Sequence, residues 1–175
     1  MGDPRRFLTF ADLIARNSSG REQRIVDIAG GYGSLRAALC RYGFHSVTTF
    51  DPRQYKGREK PRCARVRRCD PGQSHYLKLF DYRKERGFNL VVAMHPDGGT
   101  DHAVMYAREH QCPAFICPCC VVPSAAPYSQ GRSKTLWRRH LQQLAGNMIA
   151  QWVDLPIAGD AAVLILRPRD RRTAL

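Results

Sequence analysis

Residues 25–33 read Ile25-Val26-Asp27-Ile28-Ala29-Gly30-Gly31-Tyr32-Gly33, and this stretch decides the fold. Its first four residues predict a buried strand, and the glycines that follow allow positive φ angles and a close approach between backbone and ligand. Residues 34–42 then predict a helix that is closed by Gly43. A strand, a glycine turn and a helix in this order are typical of α/β proteins with a parallel sheet.

The alternation of strands and helices continues along the chain. Further strands are predicted at 47–50, 63–68, 88–94, 114–117 and 161–166, and further helices at 7–15, 76–84, 100–110 and 133–149. This order predicts an α/β fold with a mostly parallel sheet and helices on both faces. Because the 175 residues contain no internal repeat and no low-complexity linker, we expect a single domain over residues 1–175.

Acidic residues follow the strands at the edge where a ligand would bind. Asp27 lies at the end of the first strand, Asp51 follows the second, and Asp70 follows the predicted strand 63–68. Loops after parallel strands meet along one edge of the sheet, and an acid after the second strand can accept both ribose hydroxyls. The glycine spacing departs from the G-x-G-x-x-G pattern that cradles a pyrophosphate, and Asp27 would repel a phosphate.

This pattern resembles the first motif of class I, Rossmann-like methyltransferases, with Ala29 in place of the first glycine. The resemblance implies an S-adenosylmethionine site, in which Asp27 suits the ammonium group and Asp51 the ribose. The residues that it assigns to the cofactor are Asp27, Ala29, Gly30, Gly31, Tyr32, Gly33, Asp51, Asp70 and His95. The alternative is a Rossmann-like domain that binds no ligand, in which the aspartates only cap helices.

The second half carries two further motifs. His95-Pro96-Asp97-Gly98-Gly99-Thr100-Asp101 follows the strand 88–94, and Cys117-Pro118-Cys119-Cys120 follows the strand 114–117. They resemble a methyltransferase branch that includes tRNA 2′-O-methyltransferases with a CHHC zinc finger and the methyltransferase-like domain fused to a glutathione-transferase C-terminal domain. The similar residues are His95, Gly98, Asp101, Cys119 and Cys120. Here the loop is one residue shorter, Asp97 replaces a cysteine, and Val121 stands where the tRNA enzymes have histidine.

His95 and Asp97 are the predicted catalytic residues, because either side chain can take a proton from an acceptor hydroxyl. Each has a structural alternative: His95 can hydrogen-bond backbone to shape the loop, and Asp97 can form an Asx turn. We expect Thr100 to be the N-cap of the next helix, with Asp101 in its first turn. The cysteines lack the paired C-x-x-C spacing of structural zinc, so we interpret them as packing thiols and predict no metal.

The charge of the chain points to an anionic partner. Lysine and arginine total 28 against 15 acidic residues, a formal net charge of +13, which favours phosphate contacts. The predicted RNA-binding residues are Arg58, Arg62, Arg65, Arg132, Lys134, Arg138 and Arg139, and the predicted stacking residues are Tyr55, Tyr76, Tyr128 and Trp137. Each basic cluster can also be a solvated face.

The remaining features narrow the cellular context. No apolar run approaches the roughly 20 residues of a membrane helix, and the N-terminus lacks a secretory apolar region. Seven cysteines, mostly in apolar surroundings, favour a reducing intracellular compartment.

These patterns together predict an S-adenosylmethionine-dependent methyltransferase that acts on RNA, at a ribose or a base. The alternative is a catalytically inactive relative that binds RNA or serves as a structural subunit of a ribonucleoprotein assembly. A small-molecule methyltransferase is a third hypothesis, and the charge of the chain counts against it.

Overall fold

The computed structural model describes residues 5–52, 74–118, 134–159 and 161–169. Its strands are β1 (Ile25–Ile28), β2 (Val47–Phe50), β3 (Ser74–Tyr76), β4 (Leu90–Met94), β5 (Ala114–Cys117), β6 (Ile149–Asp154) and β7 (Ala162–Arg167). Its helices are α1 (Arg6–Asn17), α2 (Ser34–Arg41), α3 (Thr100–His110) and α4 (Lys134–Ala145), and a short 3₁₀ turn at Asp97–Gly99 precedes α3.

The seven strands form one sheet in the order β3-β2-β1-β4-β5-β7-β6. The pairs β3–β2, β2–β1, β1–β4 and β4–β5 are parallel, whereas β7 is antiparallel to both β5 and β6. The carboxyl ends of β1, β2 and β4 therefore lie side by side at one edge of the sheet. The predicted α/β class with a mostly parallel sheet is confirmed.

Helices cover both faces of the sheet, as predicted. On one face α1 and α2 pack on the strands through Phe10, Ile14, Leu35 and Leu39, and on the other α3 and α4 do so through Tyr106, Ala107, Trp137 and Leu141. Residues of β1 alternate between these two clusters, as the period of a strand requires. A helix of eight residues such as α2 is unstable in isolation, so packing of its buried leucines stabilises it here.

The prediction of a helix at 76–84 is wrong. Tyr76 ends β3, whose three residues pair with Thr48, Thr49 and Phe50 of β2. The backbone N–H of Asp51 also donates to the carbonyl of Tyr76 at 3.1 Å. Past β3, the side chain of Asp81 accepts a hydrogen bond from the N–H of Arg83 at 3.1 Å, which favours a turn over a helix.

The prediction of one helix over 133–149 is wrong in its second part. Gly146 adopts φ +63 and ends α4, because a glycine takes this left-handed conformation without steric cost. The chain then turns into β6, whose six residues pair with all six of β7. The predicted strand 63–68 lies outside the described residues. Within the part of the chain that the structure describes, no helix is long and apolar enough to cross a membrane.

Candidate active site

The glycine turn, residues 29–33 between β1 and α2, lies at the carboxyl edge of the sheet. A Cβ atom at residue 30 would overlap with the carboxylate of Asp27, so any residue other than glycine would displace that side chain. Gly31 and Gly33 have φ angles of +57° and +78°, which glycine adopts without strain. Ala29 has φ +54 and its N–H donates to the carbonyl of Phe50 at 2.7 Å, so β2 helps to hold this less favourable conformation.

Asp51 links the end of β2 to the glycine turn. Its Oδ2 accepts a hydrogen bond from the backbone N–H of Gly31 at 2.8 Å, and the residue is fully buried. A carboxylate held by a backbone donor keeps one orientation, and an ionised carboxylate has several lone pairs that can accept hydrogen bonds.

Asp27 is a buried carboxyl group whose hydrogen bonding is incomplete. Its Oδ2 accepts a hydrogen bond from the Thr49 hydroxyl at 3.3 Å, whereas Oδ1 has no partner among the described residues. Burial raises the pKa of Asp27 to about 7, although the Thr49 hydrogen bond and the positive charge of Arg36 both lower it. The negative charge of Asp51 raises this pKa further. A cationic donor that reached Oδ1 would both complete its hydrogen bonding and favour the ionised form.

Arg36 places a positive charge behind the glycine turn. The side chain comes from α2, is only 7% exposed, and would lie 3.1 Å from a Cβ atom at Gly33. Its Nη1 donates to the carbonyl of Ser74 at 3.3 Å, which links α2 to β3. Burial, and then the charge of Arg36, lower the pKa of His75, so a neutral imidazole is favoured there.

Two adjoining cavities open beside the glycine turn. A cavity of about 410 Å³ is lined by Arg6, Phe7, Asp27, Ala29, Gly30, Gly31, Tyr32, Ser34, Leu35, Met94, His95 and Asp97. A second cavity, of about 610 Å³, is lined by Ile28, Ala29, Phe50, Asp51, Pro52, Leu79, Phe80, Asp81, Lys84, Pro96, Asp97, Gly98, Gly99 and His102. Ala29 and Asp97 line both, and each volume is within the usual range for small-molecule sites.

The loop after β4 brings the two predicted catalytic residues to the first cavity. His95 has φ +53 and Asp97 has φ +45, in the left-handed region that costs a non-glycine residue about 1 kcal/mol or more. The N–H of His95 donates to the carbonyl of Cys117 at 2.8 Å, which ties the loop to β5. His95, Asp97 and Asp27 therefore line one cavity, although the sequence separates Asp27 from the other two by more than sixty positions.

The prediction that Thr100 caps α3 is wrong. The N-cap is Gly99 and Thr100 is the first helical residue, because the 3₁₀ turn already brings the chain into helical conformation. The Thr100 hydroxyl is buried and has no hydrogen-bond partner among the described residues. Asp101 lies in the first turn of α3, as predicted, and its Oδ2 lies 3.7 Å from Nε2 of His140.

The described cysteines fit the interpretation as packing thiols. Cys112 and Cys117 are buried, and burial raises the pKa of Cys112 to about 12, which keeps this thiol protonated. Cys40, Cys112 and Cys117 form no disulfide bond, and within residues 5–52, 74–118, 134–159 and 161–169 no three metal-ligating side chains cluster. Cys119 and Cys120 lie outside these residues.

Three of the predicted RNA-binding residues are described, all on α4. Lys134 and Arg139 are exposed, and the guanidinium of Arg138 lies 4.9 Å from the ring centre of Trp152. Arg58, Arg62, Arg65 and Arg132 lie outside the described residues.

The prediction that Trp137 stacks on a nucleic-acid base is wrong. Trp137 is only 4% exposed, because it packs with α3 and the sheet and stacks on His140. Tyr76 is 47% exposed and remains available. Tyr55 and Tyr128 lie outside the described residues.

Several residues that line the cavities were not predicted from the sequence, among them Arg6, Phe7, Asp81 and His102. Arg6 and Phe7 come from α1, which the sequence predicted as a helix without any link to the site. Asp81 and His102 line the second cavity, Asp81 from the segment that follows β3. Asp70 was predicted to follow the third strand. The strand beside β2 is Ser74–Tyr76, so Asp81 is the aspartate that follows the third strand along the chain. The position of Asp70 itself lies outside the described residues.

The donor set of the site fits a cationic nucleoside. Asp27, whose buried Oδ1 has no hydrogen-bond partner among the described residues, lines the first cavity, and Asp51 lines the second. Beside Asp51, the apolar side chains of Ile28, Phe50 and Phe80 provide the surface that a purine ring requires. A ligand that spans both cavities would pass Ala29 and Gly30, where the backbone is open to close approach.

Comparison with known proteins identifies the fold. No protein-family model and no curated protein matches the sequence. Among solved structures, the chain is similar to the pyocyanin biosynthetic protein PhzM, with 17% identity and a TM-score of 0.59 over 93% of this chain and 55% of that one. It is also similar to 1,6-didemethyltoxoflavin-N1-methyltransferase from Burkholderia thailandensis, solved with S-adenosylhomocysteine, with 15% identity and a TM-score of 0.60 over 96% and 80%.

A third similar structure is the tRNA (uracil-54, C5)-methyltransferase of Pyrococcus abyssi in complex with S-adenosyl-L-homocysteine. Identity is 14% and the TM-score 0.54, over 93% of this chain and 38% of that one. The chain thus spans about half of PhzM and less than half of the tRNA enzyme. At these identities the likeness establishes the fold, which is the Rossmann-like fold of S-adenosylmethionine-dependent methyltransferases.

Proposed function

We propose that this protein binds S-adenosylmethionine at the glycine turn and transfers its methyl group to RNA. The observation that carries the proposal is the pair of carboxyl groups, Asp27 and Asp51, on either side of a turn where a Cβ atom at residue 30 cannot fit. This arrangement belongs to a fold that the chain shares with methyltransferases of both RNA and small molecules.

Each part of the cofactor has a matching group in the site. Oδ1 of Asp27 accepts a hydrogen bond from the ammonium group in the first cavity. Asp51, held by the N–H of Gly31, accepts the ribose hydroxyls, and the apolar wall of the second cavity holds the adenine. When bound, the cofactor supplies an electrophilic methyl group on a sulfonium.

The chain's own contribution to transfer is positioning and proton removal. An acceptor in the first cavity lies beside His95 and Asp97, and positioning supplies much of the rate in such a displacement. As the acceptor oxygen or nitrogen takes the methyl group, its proton passes to the carboxylate of Asp97 or the imidazole of His95. His95 is anchored by its backbone bond to Cys117, so its ring position depends on β5.

The support for RNA as acceptor is electrostatic. The chain carries a formal net charge of +13, and Lys134 and Arg139 on α4 are exposed. Because each phosphate contact releases counterions, such a surface favours a polyanion over a neutral small molecule.

Methyl transfer from methyl-labelled S-adenosylmethionine to total RNA tests the proposal. We expect ribonuclease-sensitive label with the wild-type protein, and at least a hundredfold less when both proton acceptors are removed by Asp97→Asn and His95→Asn together. Asp154→Asn, an exposed carboxyl group on β6, is the matched control and retains the activity. Cofactor binding without label in RNA would favour an inactive RNA-binding or structural subunit, and label confined to a small-molecule extract would favour a small-molecule enzyme.

A further inference from the structure

The first turn of α1 contributes to the lining of the 410 Å³ cavity, together with the groups assigned to the cofactor. Arg6 and Phe7 line the cavity from this turn, and Tyr32 lines it from the glycine turn. His95 and Asp97 line the same space. A group bound against α1 would therefore lie in one cavity with the residues proposed to remove the acceptor's proton.

The guanidinium of Arg6 is available for an anion. Its closest described interaction is with the ring of Phe7, 4.7 Å from the ring centre, and no carboxylate within the described ranges pairs with it. The first turn of α1 contains no acidic residue, so the positive end of the helix dipole adds to the charge of Arg6. Both effects favour negative charge beside α1, whereas the carboxyl groups of Asp27 and Asp97, which line the same cavity, disfavour a phosphate close to them.

Aromatic surface lies beside this charge. Tyr32 lines the cavity and is 45% exposed, and Phe7 lines it and is half-buried. Arginine binds phosphate through its planar donor array, and aromatic rings stack on bases without regard to sequence. The combination of a guanidinium and two aromatic rings in the lining of one cavity matches a nucleotide, which carries a phosphate and a flat base.

We infer that Arg6, Phe7 and Tyr32 form the acceptor subsite, in which Arg6 contacts a phosphate of single-stranded RNA and the rings hold the base that adjoins it. The inference rests on the proposed function, because the acceptor must approach the methyl group of a cofactor bound at Asp27 and Asp51. It also adds α1 to the site, since neither the glycine turn nor the loop after β4 supplies a guanidinium to this cavity.

The subsite can be tested with a short, fluorescein-labelled oligouridylate. Its binding to the protein saturated with S-adenosylhomocysteine is measured over a range of salt concentrations. We expect Arg6→Gln to weaken binding roughly three- to tenfold and to reduce the slope of log affinity against log salt by about 0.7, the value for one phosphate contact with a single strand. Arg6→Lys retains the slope and loses part of the affinity.

Arg16→Gln is the matched control. Arg16 lies on the same helix, is exposed, and pairs with Asp12 at 2.9 Å away from the residues that line the cavity. Equal effects of Arg6→Gln and Arg16→Gln, in proteins with the same melting temperature, would overturn the subsite, as would failure of the wild type to bind the oligonucleotide. Calorimetry with S-adenosylhomocysteine tests the proposed function separately. If the protein binds this compound but Arg6→Gln does not change oligonucleotide binding, only the subsite is rejected. If calorimetry detects no binding of S-adenosylhomocysteine, the salt dependence of oligonucleotide affinity, measured with the free protein, still tests the subsite.

Discussion

The backbone N–H of Gly31 donates to Oδ2 of Asp51 at 2.8 Å, so the glycine turn after β1 is bonded directly to the end of β2. The bond fixes the carboxylate before any ligand arrives, and an acceptor that is already oriented loses less entropy on binding. The same turn places Gly30 against Asp27, so both carboxyl groups depend on the backbone of the glycine turn.

Gly30→Ala should abolish cofactor binding and lower the free energy of unfolding by about 1–3 kcal/mol. The new Cβ atom would overlap with the Asp27 carboxylate, which must move out of its buried position. Urea unfolding and calorimetry with S-adenosylhomocysteine measure the two effects. Gly20→Ala, where a Cβ atom meets no atom within 4 Å, should leave both unchanged. Cofactor binding by Gly30→Ala with wild-type affinity would contradict the proposed position of the ligand.

Stability should decrease between about pH 4 and pH 7 because of Asp27. The pKa of this carboxyl group is about 7 in the folded protein against an ordinary 3.8, so over this range the native state holds a proton that the unfolded chain has lost. The free energy of unfolding therefore falls as pH rises through this window, by an amount on the order of 4 kcal/mol. Urea unfolding at several pH values measures the slope, and Asp27→Asn should remove it. If the free energy of unfolding of Asp27→Asn kept the same slope against pH, titratable groups other than Asp27 would cause the pH dependence.

Affinity for S-adenosylhomocysteine should increase with pH up to about 7, by at most tenfold per pH unit. The cationic ammonium group prefers the ionised form of Asp27, which becomes the major form only above its pKa. Calorimetry in buffers of different ionisation heat would show proton release below pH 7. A pH-independent affinity without proton release would contradict contact between the ammonium group and Asp27.

Arg36→Gln should move the midpoint of that pH dependence upward. The positive charge of Arg36 lowers the pKa of Asp27, and its removal favours the protonated carboxyl group. Arg41→Gln changes an exposed arginine at the end of the same helix and should leave the midpoint in place. Coincident titration curves for the two variants would show that Arg36 has no electrostatic effect on Asp27.

Asp97→Asn and His95→Asn should separate catalysis from cofactor binding. Asparagine tolerates the left-handed conformation that both positions adopt, so these substitutions remove the proton acceptor with little change in backbone strain. We expect kcat to fall by 10²–10⁴-fold in the variant that lacks the general base, with unchanged affinity for S-adenosylhomocysteine. If both variants retained full turnover, methyl transfer would proceed by positioning alone.

The elements nearest the glycine turn were predictable from sequence, because their signals are local. Four apolar or acidic residues followed by glycines predicted β1 and the turn, and a run of apolar residues predicted β4. The short strand β3 and the edge strand β6 were missed. Ser74–Tyr76 has only three residues and is held by pairing with β2, whereas β6 follows α4 after three residues, of which the first is Gly146.

The contacts that define the site were less accessible to sequence reasoning. The burial that raises the pKa of Asp27 and the approach of Arg36 both depend on how α2 packs on the sheet. Arg6 reaches the cavity only because α1 packs beside α2. Such relationships join residues that are distant in sequence, and no periodic pattern records them.

Calorimetric titration of the wild-type protein and Asp51→Ala with S-adenosylmethionine tests whether the glycine turn binds this cofactor. We expect one site per chain for the wild type, and at least tenfold weaker binding for Asp51→Ala, because the ribose hydroxyls lose their acceptor. The absence of binding heat at several temperatures with the folded wild-type protein, or equal affinity in Asp51→Ala, would contradict this expectation.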